Sequence, residues 1–273
     1  MQGNTFVSVR LENIEKRFSE IDTLLNLAKQ NKEDSQIYSA LCRSAHVLLV
    51  SHFEGIYKDI VKDDLNSNID FINISKSIFR THSLHFMHND ARDSNIEHIK
   101  DKLWDAFKEY KCNLKHEPFL RTDNKNPTQK IIDDILNKFG EKDFFYSLSN
   151  SKLEIVFENN FKMSQRELYR IKRYTQAGTK NFPYTLDTTY YKAINNSLNK
   201  EPRKKIKKGL FEEFLEEFLK DRHAIVHGSR LDNPKNSKEI ASSKIKIEIL
   251  IYAFIICICS GASPIYLLKT DQD

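Results

Sequence analysis

Residues 209–230 read GLFEEFLEEFLKDRHAIVHGSR, and their spacing predicts a helix that stops at Gly228. Turned at about 100° per residue, Phe211, Phe214, Leu215, Phe218, Ile225 and Val226 share one apolar stripe. Glu212, Glu213, Glu216 and Lys220 take the opposite side, and Arg222 falls inside the stripe. A guanidinium among Phe and Ile side chains costs free energy unless it is paired, stacked or turned into a cleft. His227 follows five residues later, so the two groups can converge at the C-terminal end of the helix. The residues alone leave two readings open. One is a structural Arg–carboxylate pair with a terminal His stabilised by the helix dipole; the other is a functional Arg–His pair.

A further helix is expected over 240–260. Within it ILIYAFIICIC, residues 249–259, is apolar without a break until Ser260, after which Gly261 and Pro264 interrupt the run. A membrane span needs roughly 20 predominantly apolar residues. The run is too short for that, and Lys246 and Glu248 stand just upstream, so it is expected to be a buried core helix.

Toward the N-terminus, residues 8–30 carry Val9, Leu11, Ile14, Phe18, Ile21, Leu24, Leu25 and Leu27 at helical spacing. A longer helix is expected over 34–65, apolar almost all round at 47–50 and therefore central. Residues 66–95, rich in Asn, Ser and His, read as an irregular excursion. Shorter helices are expected over 95–110 and over 127–139, the second opened by Asn126-Pro127 and stopped by Gly140. Ser164 and Glu167 form a capping box ahead of RELYRIKRYTQ, and 176–186 reads as a loop. No repeat and no domain boundary is visible. The expected architecture is one all-α bundle over 1–273, with four to five core helices and insertions at about 67–120 and 150–205.

Composition agrees with a helical, folded chain: 7 Gly and 6 Pro in 273 residues, and 40% apolar content. Charged residues make up 30%, but the signs nearly cancel at +5, which suits local basic patches and does not by itself announce a nucleic-acid binder. Cys42, Cys112, Cys257 and Cys259 match no disulfide framework. The opening MQGNTFVSVRLENIEKRF lacks the apolar core of a signal peptide. A reducing, cytoplasmic setting is expected.

The run Arg222-His223-Ala224-Ile225-Val226-His227-Gly228 resembles the HEPN motif. There an Arg followed by a polar residue precedes a His by four to six positions, late in a helical bundle and ahead of one more apolar helix. RSAHVLLVSHFEGIYKDIV, residues 43–61, resembles the second helix of one HEPN branch, in which a Glu-Gly pair, an aromatic residue and a Lys follow an apolar run. NPTQKIIDDILNKFG, residues 126–140, is similar to the middle helix of that branch.

The resemblance implies an all-α HEPN fold and a metal-independent endoribonuclease without cofactor. It would act as a homodimer, with the motifs of both protomers lining one cleft. RNA supplies its own nucleophile, the 2′-hydroxyl. His227 can serve as general base or acid, and Arg222 can hold the phosphate and stabilise developing charge. His223 stands where Asn is often found and either orients the phosphate or joins the proton transfer. Glu54 lies in line with Val47, Val50, Tyr57 and Val61; it pairs with Arg222 or His227 across the bundle, or with Lys58 as an i,i+4 ion pair.

The resemblance also implies a toxin or antiphage-defence effector, with an antitoxin or defence-system protein as further partner; no membrane partner is expected, from the shortness of the 249–259 run. The alternative is a non-catalytic helical binding or dimerisation module in which Arg222 makes a structural ion pair.

For an RNA path the residues offer Lys58, a basic run of Lys200, Arg203, Lys204, Lys205, Lys207 and Lys208, and the helix bearing Arg166, Arg170, Lys172 and Arg173. In that helix Tyr169 and Tyr174 offer faces for unpaired bases. His82, His85 and His88 with Asp90 and Asp93 have zinc-like spacing but no clear helical frame. Cys257 and Cys259 read as core. Asp105 with Glu109-Tyr110-Lys111 lacks the strand context of a metal-dependent nuclease, and no phosphate-cradling glycine loop, G-x-S-x-G or H-E-x-x-H is present.

Overall fold

The computed structural model describes residues 5–67, 115–120, 127–149, 151–192, 208–227 and 235–262, with a few isolated positions between 78 and 109. All the regular elements among the described residues are helical. They are α1 (Phe6–Gln30), α2 (Ser35–Ser67), α3 (Gln129–Lys138), α4 (Phe144–Leu148), α5 (Phe161–Thr179), α6 (Leu210–Val226) and α7 (Ser237–Ala262), with 3-10 turns at Lys152–Phe157 and Thr188–Tyr190.

The last helix organises the others. From Ile247 to Cys259 every residue of α7 is buried, Glu248 included, because α1, α2 and α5 pack around it. An all-apolar surface is satisfied only by encasement on every side. No described helix is long and apolar enough to cross a membrane. Cys257 and Cys259 are core residues, and the Cys257 thiol lies 3.1 Å from the Tyr191 hydroxyl.

α1 and α2 form an antiparallel hairpin. Val7, Leu11, Ile14, Phe18, Ile21 and Leu25 supply the buried stripe of α1, while Arg10 meets Asp63 at 2.6 Å and Arg17 meets Asp59 at 3.1 Å across the flank. Gly55 lies under Arg17: a Cβ there would stand 3.0 Å from a guanidinium nitrogen. α7 runs parallel to α2, since Tyr38 hydrogen-bonds Ser237 at one end and Tyr57 packs edge-on against Phe254 further along.

Three local expectations change. α5 begins one turn earlier than the Ser164–Glu167 box implies: Asn159 takes a left-handed φ of 57° and Asn160 caps the helix through the Met163 amide. Ser164 bonds back to the Asn160 carbonyl, and Glu167 is buried. The loop expected over 176–186 starts only after Thr179, so Gly178 is helical. The helix expected from Pro127 opens at Gln129 after Thr128, while its stop at Gly140, φ 95°, is as expected. α5, within the 150–205 stretch, packs along α7 and buries Leu168, Ile171 and Thr175.

Helical Gly→Ala changes usually stabilise, but a Cβ on Gly178 would sit 2.7 Å from Cγ of the buried Leu186. Gly178→Ala is therefore expected to lower stability by roughly 1–3 kcal/mol, read from the urea midpoint against wild type.

Candidate active site

α6 is built by the spacing that predicts it. Phe211, Phe214, Leu215, Phe218 and Leu219 are buried, and the Glu212 carboxylate accepts the Gly209 amide at its start. Val226, assigned to the same stripe, is exposed. The helix lies against the N-terminal half of α2, where the buried His46 ring packs on Phe218 at 4.7 Å between centroids. His46 Nε2 sits 3.1 Å from the Phe218 carbonyl. Burial pushes the His46 pKa down to about 4, Lys235 adding to the shift while the Phe218 carbonyl and Asp221 oppose it. The imidazole is thus neutral in the fold and donates to that carbonyl.

Arg222 lies one turn beyond Phe218. It is half-buried, its Nε is enclosed, and that nitrogen has no hydrogen-bond partner among the described residues; no carboxylate pairs with the guanidinium there. Asp221 beside it is taken by Lys235 at 2.8 Å.

His227 is the C-terminal cap of α6, φ −88° and ψ 7°, with its amide bonded to the His223 carbonyl at 3.0 Å. The two imidazoles are exposed and adjacent, centroids 4.1 Å apart. Positions 223 and 227 lie roughly 100–140° around the helix from 222. One chain therefore carries the cation and the imidazole pair on different faces of the same helix end.

Glu54 is not part of this group within one chain. Its carboxylate takes Lys58 at 2.9 Å, which is the ion-pair alternative. α2 and α6 are antiparallel, because His46 meets Phe218 while Tyr38 lies at the Ser237 end, beside Lys235 and Asp221. Glu54 lies about 12 Å of helical rise beyond His46, away from Arg222.

The basic face of α5 divides. Arg166, Arg170, Arg173 and Tyr169 are exposed; Arg173 donates to the Tyr169 hydroxyl at 3.1 Å, and Arg170 pairs with Glu167 at 3.5 Å. Lys172 instead turns inward to Glu248, and Tyr174 stacks on Tyr190 at 4.2 Å, so neither offers a free face. Lys208 pairs with Glu216. Arg203, Lys204, Lys205 and Lys207 lie outside the described residues, as do Lys200, Cys112, His85, His88, Asp90 and Asp93. Among the described residues no group of three or more metal-ligating side chains occurs.

The described elements are all helical, and the helix end carrying Arg222 and His227 precedes a final apolar helix. The model of the RiboL-PSP-HEPN family matches residues 12–172, more than half of the chain, and the chain belongs to that family. The matched span covers α1 to most of α5, including the Glu54–Lys58 block and the α3 block; it ends before α6. No curated protein and no solved structure matches the chain.

His46 escaped the sequence reading, since a His between apolar neighbours gives no hint of a carbonyl partner 172 residues away. Its folded pKa lies below the ordinary 6.5, so its stabilising contribution is complete above pH 6.5 and lost as pH falls toward 4. The loss is expected to reach roughly 3 kcal/mol. Urea titrations at pH 7 and pH 4.5 should show a smaller acid-side loss for His46→Phe than for wild type; equal losses would contradict a buried neutral His46.

Proposed function

We propose that this HEPN-family protein is a metal-independent endoribonuclease whose chemistry is carried by the C-terminal end of α6. The observation that carries this reading is Arg222. A half-buried guanidinium without a carboxylate among the described residues is an expensive arrangement. It becomes reasonable where an anion visits. Two exposed imidazoles at the same helix end supply the other requirement, groups able to accept and donate a proton.

In this reading His227 removes the 2′-hydroxyl proton or protonates the leaving 5′-oxygen, and Arg222 binds the scissile phosphate and stabilises the phosphorane. His223, 4.1 Å from His227 between ring centroids, orients the phosphate or takes the second proton-transfer role. Because one chain turns Arg222 and the imidazoles to different faces, the site is completed in a homodimer. Arg222 of one protomer then faces His227 of the partner subunit across a two-fold axis. The proposed partners are RNA, a second copy, and an antitoxin or defence-system protein. The proposed role is a cytoplasmic toxin or antiphage effector, resting on family association.

The exposed face of α5, with Arg166, Arg170, Arg173 and Tyr169, suits backbone phosphates and a stacked base. A second reading, a non-catalytic dimerisation module, is favoured by the separation of Arg222 and His227 around the helix; the cleavage assay separates the two.

Purified protein in EDTA should cleave RNA to 2′,3′-cyclic phosphate ends, and Arg222→Ala and His227→Ala should each lose about 100-fold or more in rate. Activity lost in EDTA, or kept by both variants, would overturn the assignment. The double variant Arg166→Ala/Arg173→Ala should weaken RNA binding across sequences and reduce the salt slope by about 2, measured by anisotropy from 50 to 200 mM salt.

A further inference from the structure

On the other side of α6 from the imidazoles, a cleft of about 390 Å³ opens between the start of α5, the middle of α6 and the start of α7. Its lining includes Lys235, Lys238, Lys246, Glu217 and Glu239 together with the rings of Phe161 and Phe214. The volume is that of a small-molecule site.

The charges in the cleft are not all balanced. Lys235 is engaged by Asp221 at 2.8 Å and Glu217 at 3.8 Å. The Glu239 carboxylate caps the Asn236 amide at 2.7 Å. Lys246 is different. Its ammonium is partly buried over two rings, 4.6 Å from the Phe157 centroid and 5.2 Å from that of Phe214, and no carboxylate pairs with it among the described residues.

Lys244 of the same helix behaves otherwise, holding both Asp22 and Glu248. Burial lowers the Lys246 pKa and Lys235 pushes it the same way, with Glu217 opposing. Ring faces attract an ammonium but do not neutralise it, so an arriving anion would gain a partner that the fold leaves unmatched. Lys238, exposed at the rim, is a second cation with no ion pair among the described residues.

We infer that this cleft binds a phosphate-bearing ligand of nucleotide size, with Lys246 as the inner phosphate contact, Lys238 as the outer one, and Phe161 and Phe214 flanking the base. Free nucleotide and a nucleotide within an RNA strand share this chemistry. The site stands apart from the proposed catalytic pair, as neither Arg222 nor His227 lines it. Through Lys235 it nevertheless touches Asp221, the residue preceding Arg222.

The test is calorimetric titration of the full chain with AMP, and separately with a 2′-O-methyl single-stranded RNA that cannot be cleaved through its 2′-oxygen. Wild type should bind AMP, Lys246→Met should bind it about tenfold or more weakly, and Lys238→Ala should show a smaller loss. A parallel loss of RNA affinity, with RNA displacing AMP, assigns the site to the strand; unchanged RNA affinity assigns it to free nucleotide. Lys238→Ala, altered at an exposed side chain, keeps the test valid should Lys246→Met melt early. No AMP binding by wild type, or binding undiminished in both variants, overturns the inference. RNA cleavage abolished by Arg222→Ala with AMP binding intact would separate this site from the catalytic one.

Discussion

The buried carboxylate of Glu248 is the constraint around which the bundle is arranged. It sits in α7 at 1% exposure, directly ahead of an unbroken apolar run. Left alone there it would be strongly destabilising. Lys172 of α5 reaches it at 2.5 Å and Lys244 at 3.4 Å, and Lys244 extends to Asp22 of α1 at 2.6 Å. One chain of charges thus ties two helices, α1 and α5, to the central one. A hydrophobic helix buried all round tolerates rotation and sliding; one whose Glu248 must meet Lys172 and whose Lys244 must meet Asp22 does not. This network fixes α7 in register against α1 and α5, with Tyr38 and Ser237 setting the register against α2.

With α7 fixed, the position of α6 follows. Lys235, just ahead of α7, holds Asp221 near the end of α6, while Lys246 rests on Phe214 two turns earlier. Phe218 turns inward onto His46 of α2. The helix end carrying Arg222 and His227 is therefore anchored on one flank by an ion pair and on another by a neutral imidazole. The outer flank, with His223 and His227, is left to solvent. In the proposed reading the anchored cation serves transphosphorylation, and the open flank is the face offered to a second copy.

Most of the bundle was legible because its signals are local. The spacing of Val7 to Leu25 in α1, the unbroken run in α7 and the Phe stripe of α6 each dictate a helix and its buried side. Family membership was legible in the blocks around Glu54 and Gln129, both inside the matched span. What failed depended on partners distant in sequence. Lys172 looked like a member of a basic surface until Glu248 claimed it, and Tyr174 looked free until Tyr190 stacked on it. Ser164 with Glu167 had the letters of a cap, but Asn160 lay one turn upstream in better position. Arg222 is out of place in its stripe on spacing alone, and the same five-residue spacing sets His227 about 140° around the helix from it.

The proposed sharing of one site between two copies is tested most directly by mixing dead variants. Arg222→Ala and His227→Ala proteins, each inactive alone, are unfolded together and refolded so that protomers exchange, with exchange verified by native mass spectrometry. A site assembled from Arg222 of one protomer and His227 of its partner predicts recovery of about a quarter of the wild-type cleavage rate, since half the dimers are mixed and each restores one of two sites. No recovery in a verified mixture, with wild type active after the same treatment, would contradict the account.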